Sequence, residues 1–473
     1  MAPMNCSIDD VGNDKLLLEK AGFAANDVSE WFATLPELRS DLKSDSAMCA
    51  KFWDLSRRLR AKLPRRTQRA ANDAAASDVI HRKERDLRER FLGLHVEELY
   101  SKLTAAKSKF LRIEALMPEA AKLVPGLTPG AEALSAERAL SLKEKEGLEI
   151  DHGILLSHIL AHPESGRHLC HAMLQPRTET LDLLPRLATD GLIDLGTACV
   201  SRVGKASVVE LRNTKALNAL DETTLAPLET AVDLAILDRH TEIAVLRGGT
   251  VEHAKYAGRR IFSAGINLTH LYQGKISFLF YFLHAMGYEN KIFRGIARRD
   301  ASPDDLAGST VEKPWIAVVD TFAIGGGCQH LLVMDYVLAE TGAYVTLPAR
   351  KEGIIPGIAN LRLPRFVGDR LARQAIMYGR RIDCDSPEGR LICDEIAPAD
   401  KLDAALAQVV DGLTSSGVVS VVGNRRQFRV AQEPLDLFRR YLALYAKEQA
   451  YCHFNDGLIA NLERHWNARS RKT

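Results

Sequence analysis

The stretch FAIGGGCQHLLVMDY, residues 322–336, decides the fold of this chain. Three consecutive glycines, Gly325 to Gly327, end an apolar run and precede a segment with helical periodicity. Glycine lets the backbone approach a ligand closely because no Cβ stands in the way, and the N-terminus of a following helix attracts negative charge. The stretch therefore predicts a strand, a tight loop and a helix N-terminus that together face a ligand.

A second glycine loop lies earlier in the chain, in RRIFSAGINL, residues 259–268. A single glycine turn between a strand and a helix is more often structural than functional. Two such loops together can place two backbone N–H groups against one oxygen, which makes an oxyanion hole. The pair therefore predicts a site that stabilises negative charge on the oxygen of a reacting carbonyl group.

The bulk composition is that of an ordinary globular protein. The chain has 473 residues, of which 46% are hydrophobic and 26% are charged, and 63 basic residues against 61 acidic ones leave a formal charge of +2. No overall field favours nucleic acid, a membrane surface or a strongly acidic partner. We therefore expect no nucleic-acid partner and no membrane association, and any anion site must be local.

The cysteines and the N-terminus indicate a cytoplasmic protein. Eight cysteines are scattered without a CxxC pair or the spacing of a zinc site or a disulfide framework, at positions 6, 49, 170, 199, 328, 384, 393 and 452. The first residues lack a basic start followed by an apolar stretch, and no segment approaches the roughly 18 apolar residues of a membrane span. We expect reduced thiols in a cytoplasm.

The hydrophobic periodicity of the sequence divides the chain into three predicted domains. Residues 1–195 carry apolar residues at helical spacing, residues 196–400 alternate β-branched runs with helical segments, and residues 401–473 are helical again. Alternation of strands and helices is typical of an α/β core. The run ISFLFYFLHAM, residues 276–286, is interpreted as core first and as the lining of an apolar pocket second.

Four segments of the middle domain resemble the crotonase (enoyl-CoA hydratase/isomerase) superfamily. They are LRNTKALNAL, FSAGINL, KPWIAVVDTFAIGGGCQ and LPARKEGIIPG, in that order between residues 198 and 400. The resemblance implies an α/β fold with a ββα spiral core, flanked here by a long helical N-terminal domain and a helical C-terminal segment. It also implies that the oxyanion donors are the N–H groups of Ile266 and Gly326.

The same resemblance shows where this chain departs from a hydratase. Crotonase hydratases carry two glutamates, and the matching positions here hold Gln329 and Ala349. Neither side chain can move a proton, whereas addition of water to a double bond needs a positioned acid and base. The resemblance therefore still implies stabilisation of an enolate, but this chain lacks the acid and base that hydration needs.

Within the superfamily, the chain resembles the family of 3,5-dihydroxyphenylacetyl-CoA 1,2-dioxygenase. The features shared are the helical N-terminal extension, the AGINL form of the first motif, the Gln after GGGC and the segment GNRRQFRVAQEPLDLFRRYLALYAKEQAYCHF. This resemblance implies oxidation of an arylacetyl-CoA by O2 to an arylglyoxylate and free CoA, with no metal, flavin or haem. It implies Ile266, Gly326 and Gln329 as catalytic residues, and a homotrimer or hexamer.

The resemblance also assigns residues to the acyl-CoA substrate. They are Lys215, Ala216, Leu217, His253, Arg260, Ala264, Gly265, Asn267, Leu268, His284, Gly325, Gly327 and Ile355. The dioxygenase family carries a glutamate and an arginine where this chain has Leu220 and His284, at positions that face the aryl part of the substrate. The resemblance therefore still implies the same class of reaction, but it does not identify the aryl group of the substrate.

Other readings of the sequence stay open beside this one. A non-oxidative crotonase enzyme, such as a thioester hydrolase, isomerase or decarboxylase, would use Glu352 or Asp320 as its proton carrier. A non-catalytic crotonase relative would bind or scaffold a partner.

Five histidines between residues 152 and 171 lack the carboxylate or thiol spacing of a metal site, so we expect no metal. The basic segment 57–69 lacks the interleaved aromatic residues of a nucleic-acid site.

The substitution Gln329→Glu tests the assignment of the hydratase positions. We expect no efficient hydration of an enoyl-CoA, because Ala349 leaves the second carboxylate missing and one carboxylate cannot both deliver and remove protons. The measurement is the hydration rate of crotonyl-CoA, with the parent protein as the control. A rate typical of family hydratases from this single change would show that the pair is misassigned.

Overall fold

The computed structural model describes residues 10–304, 306 and 309–471, and the chain forms two compact units. The first comprises Met1–Leu169, Tyr272–Phe278 and Ala443–Ile459, and the second comprises Cys170–Leu271, Leu279–Leu442 and Ala460–Thr473. These limits differ from the boundaries at residues 195 and 400, and the three-domain division stays a prediction. Cys6 lies outside the described residues.

The helices and strands follow the order that the sequence predicts, with nine helices before the first strand among the described residues. The helices are α1 Val11–Lys20, α2 Ala25–Ala33, α3 Leu42–Arg60, α4 Ala71–Leu103, α5 Ile113–Leu123, α6 Ala131–Arg138, α7 Ile150–Ala161, α8 Pro163–Met173, α9 Thr178–Asp190, α10 Glu222–Leu237, α11 Leu268–Tyr272, α12 Leu279–Phe282, α13 Glu289–Arg294, α14 Gly326–Leu331, α15 Ala349–Glu352, α16 Ala359–Tyr378, α17 Leu402–Thr414, α18 Val419–Gln432, α19 Leu435–His453 and α20 Asp456–Trp466. The strands are β1 Leu192–Asp194, β2 Ala198–Val203, β3 Ala206–Leu211, β4 Ile243–Gly248, β5 Ile296–Ala297, β6 Thr310–Val311, β7 Trp315–Val319, β8 Phe322–Ile324, β9 Tyr336–Glu340, β10 Tyr344–Thr346, β11 Ile382–Asp383 and β12 Glu395–Ala397.

The first unit is a helical assembly built around the long helix α4. Helix α4 packs against α1, α3 and α7. Between α2 and α3, the indole of Trp31 stacks on Phe52 and donates a 2.8 Å hydrogen bond to the Ser56 hydroxyl. The carboxylate of Asp45, which is fully buried, lies 2.7 Å from Nε2 of His95 on α4. Apolar packing and satisfied polar groups together fix the helices of this unit.

A seven-stranded sheet forms the centre of the second unit, in the order β1-β2-β3-β4-β7-β9-β12. The strands from β3 to β12 are parallel, and β1 to β3 form an antiparallel edge. All five residues of β7 are buried, as expected for a parallel strand covered on both faces. Helix α10 packs on β2 and β3, and residues of α17 pack on the face that carries Val245 and Ile316.

A small sheet and three single bridges extend the carboxyl edge of the large sheet. The small sheet has the order β11-β10-β8, with β8 and β10 parallel. The bridges join Leu220 to Ile266, Thr250 to Arg260 and Ser263 to Ala323. Because parallel strands end at one edge, the loops after β4 and after β7 meet there, which is where α/β proteins bind ligands. The fold thus gathers both predicted glycine loops at one place.

No single described helix is long and apolar enough to cross a membrane. One pair, Ala399–Thr414 with Val419–Gln432, passes a test of length and composition together but is bent by 90°. No disulfide bond joins cysteines in the described ranges.

A buried ion cluster ties together elements of the second unit that are distant in sequence. The guanidinium of Arg362 on α16 donates two 3.0 Å hydrogen bonds to the carboxylate of Glu433 and one of 2.9 Å to Glu289. Arg365 adds a 2.8 Å hydrogen bond to Glu433. Burial alone would raise the pKa of Glu433, but the neighbouring arginines lower it to about 2. The carboxylate therefore stays charged in the folded protein.

Removal of the Glu433 charge tests the contribution of this cluster. We expect Glu433→Gln to lower the free energy of unfolding at pH 7 by roughly 3 to 5 kcal/mol, because it leaves buried arginine charge uncompensated. The folded-state pKa lies below the ordinary value of 4.5, so the stabilisation is present above pH 4.5 and is lost as the pH falls toward 2. Thermal unfolding at pH 7, 4 and 3 measures whether the difference in unfolding free energy between the variant and the parent narrows.

The matched control is Glu388→Gln, which removes a carboxylate from an exposed pair with Arg380. A surface pair contributes little, so we expect a small change at every pH. A loss of unfolding free energy in Glu433→Gln that is absent at pH 7, or that stays constant down to pH 3, would contradict the role of the buried charge.

Candidate active site

The two glycine loops lie side by side, in van der Waals contact. The N–H of Ile324 donates a 3.0 Å hydrogen bond to the carbonyl of Ser263, next to the bridge between Ser263 and Ala323. Gly265 has φ +79°, and a Cβ built on it would lie 2.6 Å from the carbonyl oxygen of Ile324 and 3.2 Å from the amide nitrogen of Gly326. Only glycine fits at position 265, because any side chain would separate the loops.

The N–H of Ile266 points away from the backbone pairing around it. Leu220 donates a 2.7 Å hydrogen bond to the carbonyl of Gly265, and Asn267 donates a 2.8 Å hydrogen bond to the carbonyl of Leu220. In this parallel bridge, the N–H between the two paired groups faces the other side. The Ile266 N–H donates to no residue that the structure describes. It remains available to an oxygen acceptor.

The N–H of Gly326 is available for a different reason. Gly326 is the first residue of α14, and the first four N–H groups of a helix have no partner within the helix. Gly325 turns the chain at φ +53° and donates its own N–H to the carbonyl of Thr346 at 2.9 Å. Across the described ranges, the N–H of Gly326 donates to no acceptor. The N–H of Gly326 thus lies beside Gly265 at the N-terminal end of α14, and its convergence with the N–H of Ile266 on one oxygen stays a prediction.

Asn267 and Asn218 fix the first loop. The side-chain amide of Asn267 donates a 3.0 Å hydrogen bond to Asp221, the N-cap residue of α10. Asn218, which is buried and has φ +53°, donates from its side chain to the carbonyls of Gly249 and Ile261 at 2.9 and 2.8 Å. Asn218 was missed by the sequence reasoning, although asparagine in the left-handed region is a known turn residue.

Gln329 connects α14 to the loop that contains GIIPG. Its side-chain oxygen accepts a 3.3 Å hydrogen bond from the N–H of Ile358. A Cβ on Gly357, at φ +48°, would lie 2.0 Å from the same oxygen. Gly357 in turn donates to the carbonyl of Ile355 at 2.8 Å. The amide that replaces a hydratase acid holds a neighbouring loop against the helix, and its catalytic role stays a prediction.

The residues predicted to hold CoA lie on the segments around the hole. Lys215 and Ala216 form a short turn in which Lys215 is exposed, and the carbonyl of the next residue, Leu217, accepts a 3.1 Å hydrogen bond from Ala264. Leu268 begins α11. A Cβ on Gly327 would lie 2.8 Å from the Cβ of Ser263, so Gly327 permits close packing of α14.

Two other predicted CoA residues are engaged with protein groups. Arg260 donates a 2.7 Å hydrogen bond to the carboxylate of Glu210 and one of 3.0 Å to the carbonyl of Gly248. His253 accepts a 3.3 Å hydrogen bond from the N–H of Lys255. A phosphate would have to share Arg260 with Glu210, and the assignment of both residues to CoA stays a prediction.

His284 lies beside the oxyanion donors, as part of an aromatic cluster. Its Nε2 is 3.6 Å from the position that a Cβ on Gly326 would take, and Cδ1 of Leu220 is 2.8 Å from that position. The imidazole stacks on His330, with ring centroids 5.3 Å apart, and meets the ring of Tyr288 edge-on at 5.0 Å. The two departures from the dioxygenase pattern, Leu220 and His284, therefore both lie beside Gly326.

The two predicted carboxylate proton carriers have different environments. The carboxylate of Asp320 accepts two 2.8 Å hydrogen bonds from the guanidinium of Arg247, so both of its oxygens are engaged in an ion pair. Glu352 is buried, and burial raises the pKa of its carboxyl to about 7. For the chain as a whole, the absence of a metal stays a prediction. Within the described ranges, no group of three or more His, Cys, Asp or Glu side chains is arranged to hold a metal ion.

The chain belongs to the enoyl-CoA hydratase/isomerase family. The profile of that family matches residues 204–464. The crotonase-like α/β core with helical flanks, which the sequence predicted, is thereby confirmed.

Known proteins resemble the chain to different extents. It is 43% identical over 384 residues to (3,5-dihydroxyphenyl)acetyl-CoA 1,2-dioxygenase of Amycolatopsis orientalis, which covers 81% of this chain and 86% of that one. It is 26% identical over 236 residues to short-chain-enoyl-CoA hydratase of Clostridium acetobutylicum, 48% of this chain and 79% of that one. The crystal structure of an enoyl-CoA hydratase from Mycobacterium avium subsp. paratuberculosis matches with a TM-score of 0.46 and 20% identity, over 56% of this chain and 99% of that chain. The 43% match extends well beyond the share of the chain that the hydratases cover.

The substitution Gly265→Ala tests whether the contact between the loops forms the hole. The new Cβ would press on the carbonyl of Ile324 and displace the N–H of Gly326. Loss of one oxyanion donor typically costs about a hundred- to a thousandfold in rate. We expect a loss of that size in the anaerobic exchange of an acyl-CoA α-proton into deuterated water.

Gly342→Ala is the control, because Gly342 also has a positive φ, +81°, while a Cβ there meets nothing within 4 Å. It carries the same kind of backbone strain without the collision, so we expect its exchange rate to stay near that of the parent. Equal rates in the two variants would show that the two loops do not form the hole.

Proposed function

We propose that this protein is a cofactor-independent dioxygenase that oxidises an arylacetyl-CoA with O2 to an arylglyoxylate and free CoA. The observation that carries the proposal is the pair of free N–H groups of Ile266 and Gly326, in a site without the two hydratase carboxylates. The 43% identity to a (3,5-dihydroxyphenyl)acetyl-CoA 1,2-dioxygenase supports the oxidative reaction. The enzyme would be an oxidoreductase whose substrates are O2 and an acyl-CoA thioester.

The hole supplies what the first step needs. Removal of an α-proton from the thioester sends the electron pair of the C–H bond to the carbonyl oxygen, where the two N–H groups and the N-terminus of α14 stabilise the negative charge. The resulting enolate is electron-rich and is the reductant for O2. In the complete reaction, both oxygen atoms of O2 enter the arylglyoxylate and CoA leaves as its thiol, so no external electron donor is needed.

The surroundings of the hole favour oxidation over hydration. Gln329 is engaged by the N–H of Ile358, and the buried side chain of Ala349 has no ionisable group. Addition of water would require an acid and a base at these two positions. An enolate that reacts with O2 requires neither of them there.

An aryl group suits the space beside Gly326. The rings of His284, Tyr288 and His330 form a buried cluster, and Phe280 stacks on His284 with ring centroids 6.4 Å apart. Flat apolar groups pack favourably against such rings. Leu220 adds an apolar wall where the dioxygenase family has a glutamate, so the ring substituents recognised here would differ from two hydroxyl groups.

We also propose a cytoplasmic homotrimer or hexamer, which acts without a bound metal, flavin or haem. The family resemblance supports the assembly and the absence of a cofactor, and the composition supports the location.

Oxygen uptake with arylacetyl-CoA substrates tests the function. We expect purified protein to consume O2 and release equimolar free CoA from phenylacetyl-CoA or 3,5-dihydroxyphenylacetyl-CoA, with undiminished activity in chelator. An oxygen electrode and a thiol assay measure the two quantities, and the corresponding arylglyoxylate is identified by mass spectrometry. The control is acetyl-CoA, which has no aryl group to stabilise the enolate.

Two outcomes would contradict the proposal. Release of CoA without uptake of O2 would identify a thioester hydrolase, for which Glu352 is the candidate proton carrier. Activity that is lost on removal of a tightly bound metal would contradict the cofactor-independent mechanism.

A further inference from the structure

His284 and Glu289 form a buried pair whose free end faces the oxyanion hole. Nδ1 of His284 lies 3.2 Å from Oε2 of Glu289, and the two side chains are 7% and 0% exposed. Nε2 of His284 is buried and has no hydrogen-bond partner in the described part of the chain. It lies 3.6 Å from the Cβ position of Gly326. A buried polar atom without a partner is costly, so its retention at this place points to a ligand.

A π-helical segment, Leu283–Tyr288, makes this pairing possible. The N–H of Glu289 donates to the carbonyl of His284, five residues earlier, which is the hydrogen bond of a π-helix. In an α-helix, side chains five residues apart point about 140° away from each other. The wider π turn, together with the non-helical backbone of Gly287 (φ −81°, ψ −117°), brings the two side chains close together, and π turns are frequent at functional sites.

The ion cluster behind Glu289 keeps its carboxylate charged. Oε1 of Glu289 accepts a 2.9 Å hydrogen bond from Arg362, which is held in turn by Glu433. Oε2 lies 3.2 Å from Nδ1 of His284, which is an ion-pair distance, although the contact lacks the geometry of a hydrogen bond. Burial alone would raise the pKa of Glu289, but His284 and Arg362 hold it below its ordinary value. A carboxylate at Nδ1 favours the tautomer with the proton on Nδ1, which leaves the lone pair on Nε2.

We propose that His284 is the general base that removes the α-proton of the thioester, with Glu289 as its positioning residue. This inference rests on the proposed function and extends it, since it names the group that makes the enolate. Nε2 accepts the proton as the C–H bond breaks, the electron pair moves to the oxygen held by Ile266 and Gly326, and Glu289 stabilises the imidazolium that results. Glu289 orients His284, and His284 acts on the bound thioester. This is the arrangement in which a carboxylate positions a histidine base.

Anaerobic exchange of the α-proton of phenylacetyl-CoA into deuterated water tests the base. We expect the parent protein to exchange and His284→Ala to lose about a hundred- to ten-thousandfold in rate, the usual range for a general base. Added imidazole should restore part of the rate. His284→Asn serves as a second variant that keeps a polar side chain of intermediate size, and we expect a similar loss. Calorimetry with the same thioester verifies that each variant still binds it.

Glu289 is tested through the rate at saturating thioester. We expect Glu289→Gln to lower that rate by at least tenfold with little change in the dissociation constant, and Glu289→Asp to recover part of it. A purely structural role would change binding and unfolding temperature together and would not distinguish Gln from Asp. His240→Asn is the control, since Nδ1 of His240 also lies 3.1 Å from a carboxylate oxygen, that of Asp238, in a pair outside the candidate site. Its loss should be below tenfold and unaffected by imidazole.

The outcomes separate this inference from the proposed function. Exchange by the parent without any O2 uptake in air would remove the dioxygenase and leave the base in place. A folded His284→Ala protein that binds the thioester and exchanges at the parent rate would overturn the base. A loss in His284→Ala that is confined to hydroxylated arylacetyl-CoA substrates would also overturn it, because it would identify His284 as a group that binds ring hydroxyls.

Discussion

The close approach of Gly265 to the loop before α14 is the constraint on which the candidate site depends. The distance of 2.6 Å between a Cβ on Gly265 and the carbonyl of Ile324 leaves room for a hydrogen atom only. The parallel sheet brings both loops to this contact, where the N–H groups of Ile266 and Gly326 have no acceptor among the described residues. The site thus consists of backbone held in place by the pairing of Leu220 and the side chain of Asn267.

Much of this arrangement could be predicted from the sequence, since it depends on local patterns. The glycines of FSAGINL and FAIGGGCQ mark close backbone approach wherever they occur, and buried strands such as WIAVV have a clear signature. The helical N-terminal region and the α/β core follow from hydrophobic periodicity, and the family match confirms the fold. Roles of individual side chains around the hole are a separate matter. The structure gives Gln329 and Asn267 supporting contacts, while the catalytic role of Gln329 and the CoA-binding role of Asn267 stay predictions.

Glu289 could not be predicted, for a definite geometric reason. Sequence reasoning searches for side chains that share a face at α-helical spacing, and His284 and Glu289 are five residues apart. Only the π turn brings them together, and a π turn has no reliable pattern in a single sequence. The ion cluster is equally hidden, because Arg362 and Glu433 are charged residues that would be assigned to the surface in the absence of a fold. Both features depend on tertiary packing.

The π turn also has an evolutionary meaning. The π turn, with its kink at Gly287, adds one residue to the helical course from α12 to α13, as a one-residue insertion would. Loss of one residue between His284 and Glu289 would restore α-helical hydrogen bonding and rotate everything after it by about 100°. Such a deletion would make the helix more regular and would separate the carboxylate from the imidazole. A comparison of relatives by helix length in this segment, rather than by residue identity, would therefore separate those that can form the pair from those that cannot.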